Sequence, residues 1–150
     1  MRRSANKRLQ EADEAGEAMA PPRVLLAEDD AEMRELVASS LRRDGFEVVE
    51  LRDGGELFDH IGVSWVGPRD HRRPDLVISD VRMPGFSGLE ILDILRQADW
   101  ALPVILITAF GDADLHQEAQ RLGAAAVFDK PFDLDDLRTA AIFYARPPER

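Results

Sequence analysis

Carboxylates, one hydroxyl and one lysine stand at the ends of short apolar runs in this sequence. Glu28, Asp29 and Asp30 follow RVLLA, Asp80 follows LVIS, Thr108 closes PVILIT, and Asp129, Lys130 and Pro131 follow AAAVF. Carboxylates crowded together repel and raise one another's pKa unless a cation sits among them. All-oxygen ligands select a hard ion such as magnesium, which binds through a few carboxylates plus water and phosphate oxygens. A lysine and a hydroxyl nearby suit the remaining oxygens of a phosphoryl group, so the set fits phosphoryl transfer governed by positioning and electrostatics. A carboxylate beside the metal can itself be the nucleophile and form an aspartyl phosphate.

Taken singly, each residue has a plainer role. Asp30 reads as the N-cap of a following helix, and Glu28 and Asp29 as further capping or solvated acids. Asp80, ahead of Pro84-Gly85, reads as turn chemistry, Thr108 as a strand-end hydroxyl and Lys130 as a solvated cation before a proline. Their coincidence at four strand ends favours a single site, provided the fold brings those ends together.

The elements do so. Strands are predicted over 23–27, 46–51, 75–79, 102–108 and 124–129, and helices over 31–45, 54–61, 88–98, 113–123 and 133–145. Met33, Leu36, Val37 and Leu41 share one face of the first helix, Gly45 and Gly123 mark helix ends, and Asp133 is placed to cap the last helix. Strict strand-helix alternation with continuously apolar strands predicts an α/β fold, a five-stranded parallel sheet doubly wound as (βα)5. Right-handed crossovers then bring the carboxyl ends of the strands to one edge, where open sheets of this class bind ligands.

Composition narrows the setting. The chain of 150 residues, 45% hydrophobic, is long enough for one core. Residues 1–22 read as a flexible tail, 23–145 as the folded domain and 146–150 as a short C-terminal tail. The first tail balances Arg2, Arg3, Lys7 and Arg8 against Glu11, Asp13, Glu14 and Glu17, so the net charge of -10 belongs to residues 23–150. Such a body is unsuited to direct binding of nucleic acid or an anionic membrane and suits cations or basic protein surfaces. Without cysteine, disulfides, thiolate zinc sites and cysteine nucleophiles are excluded. His60, His71 and His116 are too scattered to suggest a histidine metal site. No apolar run approaches the ~18 residues of a membrane span, and the N-terminus lacks the apolar stretch of a secretion signal, so a soluble cytoplasmic protein is expected.

The segments VLLAEDD, LVISDVRMPGFSGLEIL, PVILITAF and DKPF, in that order and at this spacing, resemble the receiver domain of two-component response regulators over residues 23–145. The resemblance implies a CheY-like, flavodoxin-like fold and a protein that accepts a phosphoryl group on Asp80. The donor would be a phosphohistidine of a sensor histidine kinase or of a histidine phosphotransfer protein. It further implies magnesium held by Glu28, Asp29, Asp80 and the backbone carbonyl of Arg82, with Thr108 and Lys130 holding the phosphoryl oxygens and Pro131 in a cis bond. Such a protein catalyses its own phosphorylation and slow hydrolysis, has no separate substrate, and acts by switching contacts with a downstream protein target. A homodimer through the last helices is compatible with this.

Four features bear on that likeness. Glu28 stands where the family more often has aspartate, which changes reach without removing charge. Val127 stands where an aromatic that changes rotamer is common, so coupling to the face of the last two helices and fifth strand is expected to be weak or to use Phe128 or Phe110. Residues 62–74, GVSWVGPRDHRRP, read as a long loop, either a solvated insertion with Trp65 against the body or a docking loop whose Arg69, His71, Arg72 and Arg73 meet an acidic partner. RPPER after the last helix leaves no room within this chain for a DNA-binding or enzymatic output domain, as in a single-domain regulator or a fragment. Two other functions share part of this pattern. A degenerate receiver would bind its partner constitutively, and a phosphohydrolase of the haloacid-dehalogenase type would need an aspartate two residues after the nucleophile, where Arg82 stands.

Overall fold

A computed structural model describes residues 20–67, 73–109 and 113–145. In chain order these form β1 (Arg23–Ala27), α1 (Ala31–Arg43), β2 (Glu47–Leu51), α2 (Gly54–Val66), β3 (Leu76–Asp80), α3 (Gly88–Gln97), β4 (Val104–Thr108), α4 (Ala113–Arg121), β5 (Ala126–Asp129) and α5 (Leu134–Ala145). The strands make one parallel sheet in the order β2-β1-β3-β4-β5, the doubly wound architecture that the alternation predicts.

Burial follows from that order. Every residue of the central strands β3 and β4 is buried, because helices cover both faces. On one face Val24, Leu26, Leu76, Ile78, Ile105 and Ile107 pack with Val37 and Leu41 of α1 and Leu137 and Ala141 of α5. On the other, Leu25, Val77, Val104 and Leu106 pack with Leu57 and Ile61 of α2, Ile91, Leu92 and Leu95 of α3 and Ala119 of α4. Each fully buried leucine or isoleucine contributes roughly 1.5–3 kcal/mol of transfer free energy.

Turn chemistry at the carboxyl edge sets where α1, α2, α3 and α5 start. The Asp30 carboxylate accepts from the backbone N–H of Glu32 and Met33, and Asp53 accepts from that of Glu56. Ser87 and Glu90 form a reciprocal capping box on α3, and Asp133 accepts from Asp135 N–H at 2.7 Å, the cap expected there. β1 lies between β2 and β3, so the chain reverses its direction across the sheet beside β1, and the crevice at the carboxyl ends of β1 and β3 is where such sheets bind ligands.

The sequence reading differs from the structure chiefly at the end of α2. That helix continues to Val66, five residues into the segment read as a loop, because Gly62 is tolerated within a helix and Pro68 is the first residue that cannot extend it. Trp65, 41% exposed, tilts against Trp100 with ring centroids 5.1 Å apart, and the Arg73 guanidinium lies 5.4 and 5.6 Å from the two rings. Arg69, His71 and Arg72 lie outside the described residues, as do residues 1–19 and 146–150 of the two expected tails.

Candidate functional site

Parallel strands deliver the polar residues to one edge. Glu28 follows β1 directly, Asp80 ends β3, Thr108 ends β4 and Lys130 follows β5. The Lys130 Nζ donates to Asp80 Oδ2 at 2.8 Å and to Glu28 Oε1 at 3.1 Å, closing a distance of 102 residues in sequence. Asp80 Oδ1 accepts from the Arg82 N–H at 3.1 Å, and Glu28 Oε1 lies 3.4 Å from the Asp30 nitrogen. Glu28, Asp29 and Asp80 each offer a carboxylate oxygen within 4.8 Å of the others. Thr108 is buried at the end of β4, adjacent to β3 in the sheet, and its carbonyl accepts from the Lys130 N–H at 2.6 Å. Pro131 takes the cis bond expected of it. The Arg82 contact is through its N–H, and its side chain is exposed.

Electrostatics here are those of a site short of positive charge. Glu28 is only 2% exposed, and burial, reinforced by the neighbouring Asp80 carboxylate, pushes its pKa up from 4.5 to about 7 against the pull of Lys130. Burial pulls the Lys130 ammonium down, but its bonds to Asp80 and Glu28 outweigh that and its pKa is raised. Glu28 Oε2 is buried and finds no hydrogen-bond partner among the described residues. Leaving such an oxygen unpaired costs about 1–3 kcal/mol, and a bound cation offsets that cost. With three carboxylates in reach of one another, the donor set fits a hard divalent ion.

Several residues that support the site escape a reading of the sequence. Arg34 Nη1 donates to the carbonyl of Glu28 at 2.8 Å. The loop after Asp80 rests on the start of α2, where the Gly54 N–H donates to Pro84 O at 3.0 Å and a Cβ on Gly54 would fall on the Phe86 carbonyl. Gly85 adopts φ +83°, and Phe58 stacks on Phe86 at 4.4 Å. The glycines were visible as helix-start and turn residues, but a close approach between segments 30 residues apart leaves no local signal. Phe128 packs on the α1 and α5 face whereas Val127 packs on the α4 face, so the two side chains point to opposite sides of β5. Phe110 lies outside the described residues.

A family model described as the response regulator receiver domain matches residues 24–142. The chain belongs to this family. The receiver is 33% identical over 122 residues to sporulation initiation phosphotransferase F of Bacillus subtilis, covering 81% of this chain and 92% of that protein. It is 39% identical to the C4-dicarboxylate transport transcriptional regulatory protein DctD of Pseudomonas aeruginosa, covering 79% of this chain but 24% of that protein. Against the transcriptional regulatory protein PdtaR of Mycobacterium tuberculosis it is 38% identical over 81% of this chain and 55% of that one. Among solved structures, the receiver domain of Francisella response regulator 1452 aligns with TM-score 0.71 at 27% identity, covering 83% of this chain and 98% of that one. The chemotaxis response regulator CheY4 of Vibrio cholerae aligns with TM-score 0.69 at 26% identity over the same shares. The receiver is therefore a CheY-like domain, homologous to regulators that work by accepting phosphoryl groups.

Proposed function

We propose that Asp80 is the phosphoryl acceptor of this receiver and that phosphorylation switches its contacts with a downstream protein. The observation that carries this reading is the bridge from Lys130 to both Asp80 and Glu28 at the converging strand ends. One Asp80 oxygen attacks the phosphorus of a phosphohistidine on a kinase or phosphotransfer protein. The P–N bond breaks, its electron pair leaves with the imidazole, which takes up a proton, and an aspartyl phosphate remains. Lys130, already an ammonium held at Asp80, pairs with the transferred oxygens, and the Thr108 hydroxyl donates to another of them. Glu28, Asp29, Asp80 and the carbonyl of Arg82 would hold magnesium, which supplies neutralising charge to the phosphoryl oxygens.

No group of this set is missing, which speaks against a module that binds constitutively. The relatives include regulators of transcription, but the acidic body of this chain favours a protein target over direct contact with nucleic acid. Among the described residues no helix is long and apolar enough to cross a membrane. Incubation with phosphoramidate, whose P–N bond mimics the phosphohistidine donor, tests the chemistry. An adduct labile to hydroxylamine and abolished by Asp80→Asn is expected; a hydroxylamine-stable adduct, or one that survives Asp80→Asn, would refute an aspartyl phosphate at this site.

A further inference from the structure

We infer that Arg34 is a positioning residue that fixes the Glu28–Asp29 pair for cation binding. This rests on the reading of Glu28, Asp29 and Asp80 as a magnesium site.

Arg34 sits in the first turns of α1 with a side chain only 13% exposed. Its Nη1 donates to the Glu28 carbonyl at 2.8 Å, while its Nε lies 3.6 Å from Glu50 Oε1 on β2. Glu50 is held in turn by Arg42 Nη1 at 3.0 Å, and Arg42 Nη2 donates to the Val48 carbonyl at 2.9 Å. Arg34 is thus anchored on β2 and reaches over the β1–α1 turn. The carbonyl it holds belongs to the peptide that joins Glu28 to Asp29, and the Glu28 N–H on the other side donates to Leu51 O at 3.1 Å. Fixing both sides of Glu28 fixes the frame from which both carboxylates project. Exposed Asp29 depends on this most, since packing does not confine it. The rigid guanidinium fork makes both contacts at once, which a lysine ammonium in the same place would do poorly.

The sign of the effect separates this role from a bystander's. A guanidinium near a cation site repels the cation, so its removal should tighten magnesium binding if charge is all that it contributes. A positioning role predicts the reverse, because loss of a partner that orients metal ligands typically weakens binding by about 10–100-fold.

The experiment is calorimetric titration of the whole chain with magnesium chloride, with urea midpoints measured alongside, for wild type, Arg34→Met, Arg34→Lys, Arg42→Met and Asp80→Asn. Arg34→Met should weaken binding on the order of tenfold and Arg34→Lys by a few-fold, while Arg42→Met stays within about twofold. Unchanged or tighter binding in Arg34→Met overturns the inference, as does a loss in Arg42→Met equal to that in Arg34→Met. Should Arg34→Met not fold, Arg34→Lys decides, and wild-type affinity there overturns the inference. If wild type takes no magnesium, or Asp80→Asn binds it equally well, the magnesium site itself is refuted, an outcome distinct from a failure of Arg34 alone.

Discussion

Glu28 is asked to be buried, to lie beside another carboxylate and to leave one oxygen unpaired, a combination that disfavours the folded protein in the absence of a cation. Glu28→Gln keeps an acceptor for Lys130 and removes the repulsion from Asp80. At pH 8 it is expected to stabilise the metal-free protein by about 1 kcal/mol, read from urea unfolding, since a carboxyl raised by burial opposes folding once it must ionise. The same variant should lose magnesium binding. Lys130→Met removes the ammonium proposed above to meet the transferred oxygens and is expected to slow phosphoryl uptake from acetyl phosphate on the order of 100-fold while the fold persists. The chemical types of these residues were legible because each stands at the end of an apolar run. Arg34 was not, since its partner at the site is the Glu28 carbonyl, and main-chain acceptors leave no mark in a sequence.

Among the elements, strands and helices were legible because their periods differ and their ends carry caps. The end of α2 is hard to read in the sequence because Gly62 and the later Gly67-Pro68 look alike as breakers, although only a proline ends a helix by removing a donor. Ser87→Ala breaks the capping box of α3 and is expected to cost about 1 kcal/mol in stability, checked by thermal or urea unfolding. Gly54→Ala drives a methyl onto the Phe86 carbonyl and should cost about 1–3 kcal/mol. It should also shift the amide resonances of Arg82 to Phe86 in an NMR spectrum, which a change confined to α2 would not do. β5 carries the coupling question. Val127 has no ring to reorient and Phe128 lies on the opposite face, so beryllofluoride should leave the amide shifts of α4 and α5 small beside those at Asp80. Large shifts across α4 and α5 would show that another group transmits the signal.

At the scale of the molecule, one sheet gathers residues from the ends of four strands, and α1 and α5 close its back. Arg138 of α5 clamps Asp44 at the end of α1 through two bonds of 2.7 Å. Those bonds hold the Asp44 carboxyl below its ordinary 3.8 despite partial burial. A depressed carboxyl favours folding above its unfolded pKa and loses that contribution as the pH falls through the lower folded value. The difference in urea midpoint between wild type and Asp44→Asn should therefore be present at pH 7 and shrink as the pH falls below 3.8. The global arrangement was legible from alternation alone, because right-handed parallel connections leave few other ways to gather the strand ends. What the chain controls was not, since an output depends on the partner's surface as much as on this one. The most direct test of the whole is the intact mass after incubation with acetyl phosphate and magnesium, beside Asp80→Asn and a sample with chelator. One phosphoryl adduct is expected, lost in both controls; an adduct that survives Asp80→Asn, or none at all in a folded protein with magnesium, would contradict phosphorylation at Asp80.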